Sequence, residues 1–174
     1  MQTNLDFVKE TSGRVLLQNG SHSPQMCLFG KKGNVFVLIG DFPSDSRIKE
    51  MIMLGLGHKT GSDFKMQQQI GELEETYFIS EAWISIVKKE DLNNNTLKVM
   101  PSDDPNKVEI IIIAGKNIKT DKMTFNGRKL IRNKEGKIIK LEEMSYPTDK
   151  FESYLLDAFF KGYKIGEQDL LKKN

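Results

Sequence analysis

Between Asn4 and Gln18 the apolar residues Leu5, Val8, Val15, Leu16 and Leu17 can share one helical face, and Gly20 stands where such a helix would stop. Gly13 weakens that helix from within. The run Asn19-Gly20-Ser21-His22-Ser23-Pro24 that follows is turn chemistry. Gln25 to Gly30 and Asn34 to Gly40 are short apolar runs separated by Lys31-Lys32-Gly33, which reads as a β-hairpin. Val35 to Ile39 is apolar at every position, which predicts a strand covered on both faces and lying inside the sheet.

Pro43 ends that strand, and Ser44 or Asp45 can cap the helix that follows. Ile48, Met51, Ile52 and Leu56 repeat at helical spacing, Gly55, Gly57 and Gly61 weaken the middle, and Phe64, Met66, Ile70 and Leu73 resume the period. The pattern predicts one long broken helix, or two shorter ones, between Asp45 and Leu73. Thr76 to Val87 is strand material, with Tyr77, Ile79, Glu81, Trp83 and Ser85 on one face by parity. Lys88 to Asn106 is polar and holds Asn93-Asn94-Asn95, Pro101 and Pro105; it reads as a long loop, mobile or functional.

Val108 to Ala114 is the most apolar strand. Met123 to Arg132 and Lys137 to Glu143 form a second hairpin around Asn133-Lys134-Glu135-Gly136, with Asn126-Gly127 as a competing turn or a bulge. After Pro147, a stripe of Phe151, Tyr154, Leu155, Ala158 and Phe159 predicts a helix from Asp149 to Tyr163. The order of helix, two strands, helix, four strands, helix predicts a single α+β domain over residues 1–174. Its sheet is mostly antiparallel or mixed, of about six strands, with N-terminal, central and C-terminal helices.

Composition narrows the classes. The 174 residues are 38% hydrophobic and 29% charged, ordinary for a globular chain. No run approaches the ~18 apolar residues of a membrane span, and Met1 to Glu10 lacks the basic-then-apolar pattern of a secretory leader, so a cytoplasmic protein with no membrane role is expected. A single cysteine, Cys27, excludes an internal disulfide and a multi-cysteine zinc site; set in an apolar strand, it reads as a buried, inert thiol. The net charge is only +2, but Gly115 to Lys140 carries +7, leaving −5 for the rest. Such a basic hairpin can meet phosphates or an acidic partner. Lysines also guard sheet edges, and Phe125 is the one aromatic there for base stacking.

Candidate chemistry centres on carboxylates. Glu81, between Ile79 and Trp83, would have a raised pKa and could act as a general acid, a base or a metal ligand; the alternative, which we favour, is a strand-end carboxylate bonded to the following loop. Ser102, Asp103 and Asp104, with Glu109, could gather oxygens for a hard cation; between Pro101 and Pro105 they read better as turn-capping residues. His22 reads as a solvated turn residue and His58 as a helix-end residue. No G-x-S-x-G, H-E-x-x-H, H-x-E with P-C-x-x-C, or phosphate-binding glycine loop is present.

Three short motifs carry a family likeness: Gly40-Asp41-Phe42-Pro43, Ser80-Glu81-Ala82-Trp83, and Pro101-Ser102-Asp103-Asp104-Pro105 followed by Glu109. With the order of elements from about Gly20 to Tyr163, the chain resembles a family of uncharacterised bacterial and phage-type proteins. The resemblance implies no activity and no catalytic residue; it draws attention to Glu81, Trp83 and the Ser102–Asp104 loop.

The sequence thus favours a binding or accessory module that recognises a protein partner, with Trp83, Lys129, Arg132, Lys137 and Lys140 as candidate contacts. One alternative is a hydrolase or metal-assisted enzyme centred on Glu81, Ser102, Asp103 and Asp104. The other is a nucleic-acid binder acting through the 115–140 hairpin. No cofactor and no metal are expected.

Overall fold

The structure, a computed structural model, describes residues 2–85, 103–145 and 153–173. In chain order they form α1 (Asn4–Asn19), β1 (Gln25–Gly30), β2 (Asn34–Leu38), α2 (Ser46–Ser62), α3 (Phe64–Ile70), β3 (Leu73–Ile84), β4 (Val108–Asn117), β5 (Met123–Arg132), β6 (Ile138–Met144) and α4 (Tyr154–Lys173). The strands make one antiparallel sheet in the order β2-β1-β3-β4-β5-β6. This is the α+β architecture expected, with helices at the start, middle and end.

Strand parity divides the core in two. Val8 and Leu16 of α1 pack on Cys27, Phe29, Tyr77, Ile79, Ile111, Ile113 and Leu130. The opposite face presents Met26, Leu28, Phe78 and Ala114 to Met53 of α2, Ile70 of α3 and Leu156, Phe159 and Tyr163 of α4. The sheet therefore lies between α1 on one side and the other three helices on the other. Cys27 is fully buried, and burial pushes its thiol pKa up to about 12.

The helix ends follow local chemistry. Thr3 caps α1 in a capping box with Asp6, and Gly20 closes it in the left-handed region at φ 75°. Asp45 accepts from the amides of Arg47 and Ile48 to start α2, and Asp63 accepts from Met66 to start α3.

The break in the central helical region therefore falls at Asp63, and α2 runs unbroken through Gly55, Gly57 and Gly61. Gly57 and Gly61 are where α2 touches α4. A Cβ on Gly57 would lie 2.0 Å from the Phe159 carbonyl oxygen, and one on Gly61 2.2 Å from that of Tyr163. Gly162 and Gly166 reciprocate, at 2.0 Å from Leu54 O and 2.2 Å from His58 O. Two Gly-x-x-x-Gly faces thus let the helix backbones meet, a spacing that the intrinsic helix-breaking reading overlooks.

Other expectations are corrected. β2 is an edge strand, not an interior one, and only one of its faces is covered: Val35 and Val37 rest on the helix layer, whereas Phe36, though it touches Phe7 and Phe29, and Leu38 are exposed. Leu73 belongs to β3, not to a helix. Asn126-Gly127 lies within β5, where Gly127 pairs with Ile112 and Met144; the irregularity falls at Ile131/Arg132. α4 runs ten residues past Tyr163. Most of the expected Lys88–Asn106 loop, and Phe151, lie outside the described residues.

Candidate functional site

Past the C-terminus of α1, the chain meets the sheet again at a polar cluster. Glu81 of β3 and Glu109 of β4 share the α1 face, because Glu81 pairs with Ile111 and Trp83 with Glu109. Arg132, at the end of β5, forms a bidentate pair with Glu109: Nε donates to Oε2 at 2.7 Å and Nη2 to Oε1 at 2.6 Å. Its Nη1 also donates to the Gly136 carbonyl at 2.8 Å.

The backbone N–H of His22 donates to Glu81 Oε1. His22 is not a solvated turn residue: it is 5% exposed. Its Nδ1 donates to Ser23 O at 2.8 Å, which leaves Nε2 to accept from Gln25 Nε2 at 3.2 Å and fixes a neutral tautomer. Burial, and to a lesser degree Arg128, hold the His22 pKa below its ordinary value. Burial chiefly, and the negative charge of Glu109, raise that of Glu81 against the opposing His22 N–H and Arg132.

Glu81 is thus a strand carboxylate that accepts a backbone N–H from the loop before β1; most of the loop after β3 lies outside the described residues. The cluster ties the segment after α1 to β3, β4 and β5.

The remaining sequence candidates lie apart. Trp83 is half exposed, with Lys107 Nζ 4.6 Å from its ring centroid. Asp104 Oδ1 accepts from Asn106 N at 2.8 Å, which is turn chemistry, and Asp103 is exposed. Both precede the Ile84–Val108 pair that ends the β3–β4 ladder, itself three residues or about 10 Å along the strand from Glu81. Ser102 lies outside the described residues. Lys129 points to the opposite face of the sheet from Arg132, Lys137 is exposed, and Lys140 pairs with Glu142 at 2.9 Å. His58 Nε2, on α2, is 3.1 Å from Asp169 Oδ2 of α4. Among the described residues, no three of His, Cys, Asp and Glu converge to hold a metal ion, and no helix is long and apolar enough to cross a membrane.

A second site lies where α1 meets β6. A groove of about 650 Å³ is walled by Leu17 of α1 and by Ile139 and Leu141 of β6, with Lys9, Arg14, Lys140 and the acid Glu10 along its rim. Arg128 of β5 forms its floor and is only 8% exposed. Its Nη2 donates to Lys9 O at 2.8 Å and to Ser12 Oγ at 3.1 Å. Its Nε is buried without a hydrogen-bond partner. Glu143, opposite Arg128 on β6, directs its carboxylate instead to Lys9 Nζ at 3.1 Å and Asn126 Nδ2 at 2.7 Å.

Arg128 is therefore a buried cation that forms no ion pair among the described residues. Burial draws its pKa down against the nearby charge of Glu143, and an arginine has no neutral form to retreat to near neutral pH. Sequence reasoning counted Arg128 as one basic residue among nine. Parity with Leu130 could have turned it inward, but nothing in the sequence pairs it with Gly13, 115 residues away, under which it sits.

Comparison of the chain with protein-family models, with curated proteins and with solved structures gives no match.

Proposed function

We propose that the protein is a binding module that recognises a partner protein through the α1–β6 groove, taking an acidic side chain flanked by apolar ones. The observation that supports this reading is Arg128. A buried guanidinium without an ion-pair partner is costly, and such a charge is normally neutralised. A carboxylate arriving through the groove would supply its counter-charge, while Leu17, Ile139 and Leu141 offer apolar contact on either side. Arg14, on the rim, would help draw an acidic segment in.

The enzyme and nucleic-acid readings have less to support them. Glu109 and Arg132 are bonded to each other, and Glu81 to His22. Asp104 is engaged in its own turn. Among the basic residues of the hairpin, Lys116, Lys119, Arg132 and Lys140 sit in ion pairs.

The test is a fluorescence-anisotropy titration with a labelled peptide of alternating leucine and glutamate. The wild type should bind it. Arg128→Met, which keeps the apolar stem, should weaken binding about tenfold or more, as loss of a central contact does. The same peptide with glutamine for glutamate should also bind weakly. Equal affinity of wild type and Arg128→Met would overturn the proposal. Failure to bind the peptide, together with salt-dependent binding of single-stranded DNA, would put the basic hairpin in its place.

A further inference from the structure

β2 is an open edge of the sheet. Two hydrogen bonds fix which way its backbone faces: Gly30 N donates to Gly33 O at 2.9 Å and Ile39 N to Pro24 O at 3.0 Å. With the β1–β2 register, these bonds direct the odd-numbered residues 33, 35, 37 and 39 toward β1. The N–H and C=O groups of Asn34, Phe36 and Leu38 therefore point outward, and among the described residues the β2 backbone pairs only with β1. The side chains of the same residues are open too, with Phe36 41% and Leu38 70% exposed.

Edges of this kind are normally blunted by lysine, proline or a bulge. β6, at the other end of the sheet, carries Lys140, Glu142 and Glu143. β2 reads Asn-Val-Phe-Val-Leu and carries no such device.

We propose that β2 is a self-pairing edge that joins two copies of this chain in a two-fold antiparallel dimer with a continuous sheet. Two features select the second copy, and one register, as its occupant. Centred on Phe36, the pairing sets Phe36 against Phe36 of the other copy and Asn34 against Leu38. All the outward backbone groups are then bonded at once, whereas a shift by two residues leaves one residue of each copy unpaired. The Phe36 rings meet at the axis and extend the Phe7–Phe29–Phe36 cluster across it.

Sedimentation equilibrium over a concentration series tests this. The wild type should be a dimer. Phe36→Lys and, independently, Leu38→Lys should each weaken association about tenfold or more; Leu38 is exposed enough that its variant keeps the fold. A wild type monomeric at all concentrations would overturn the proposal, as would a dimer indifferent to both lysine substitutions in β2. Because the peptide groove lies at the opposite edge of the sheet, Phe36→Lys should leave peptide binding unchanged, so the two proposals fail separately.

Discussion

Gly13 of α1 lies directly over Arg128 of β5, so that a Cβ at position 13 would stand 3.1 Å from the guanidinium Nη1 and 3.3 Å from Leu141 Cδ1. The missing side chain leaves room at the floor of the groove. Gly13→Ala would fill it. The contact is with the far end of a long side chain, which can shift, and alanine favours the helix by about 1 kcal/mol over glycine. Stability in urea should therefore stay within about 1 kcal/mol of wild type, while affinity for the leucine–glutamate peptide falls. Unchanged affinity would mean that the groove is not the binding site.

The glycines of α2 separate packing from propensity. A Cβ on Gly57 runs into the backbone carbonyl of Phe159, which no rotamer change relieves, whereas one on Gly55 meets nothing within 4 Å. Gly57→Ala should cost about 3 kcal/mol or more by forcing α2 and α4 apart. Gly55→Ala should stabilise by up to about 1 kcal/mol through helix propensity alone. Equilibrium denaturation of the two variants checks both signs. A small effect at Gly57 would contradict the backbone contact between the helices.

These glycines also mark where sequence reasoning reaches its limit. Hairpins, strand parity and helix caps are local: the Lys31–Lys32 turn, the shared face of Glu81 and Trp83, and Asp45 as a cap were all legible from neighbouring residues. Gly57 and Gly61 were legible as helix breakers, because their partners on α4 lie about a hundred residues away in sequence. For the same reason β2 read as interior: a run of apolar residues does not show which strand lies beside it in the plane, and Phe36 and Leu38 stay exposed. Glu81 was found by its setting between apolar neighbours. Its neighbours His22, Glu109 and Arg132 come from three other segments, which no local pattern joins. Arg128 was one charge in a basic run until the fold placed it beneath a helix.

Glu81 gives a pH signature. Its folded-state pKa is raised by burial and by Glu109, so the protonated carboxyl is the form the folded state favours. The associated stability is fully present below the ordinary glutamate value of the unfolded chain and is lost as pH rises through the raised folded value. Glu81→Gln keeps an oxygen to accept the His22 N–H without the charge. The variant should be more stable than wild type at neutral pH, and the difference should close on acidification below the ordinary carboxylate range. Denaturation midpoints at a series of pH values read this directly; a variant less stable at neutral pH would show that the Glu81 charge is stabilising.

The most direct test of groove recognition is to follow the ¹⁵N-labelled protein by NMR as the leucine–glutamate peptide is added. The account predicts shifts at the amides of Gly13, Leu17, Ile139 and Leu141 and at the Arg128 side-chain Nε–H, with little change at Trp83, Glu109 or Lys129. Shifts that bypass Arg128 and gather instead on the exposed lysines of the 115–140 hairpin, or around Glu81 and Trp83, would contradict it.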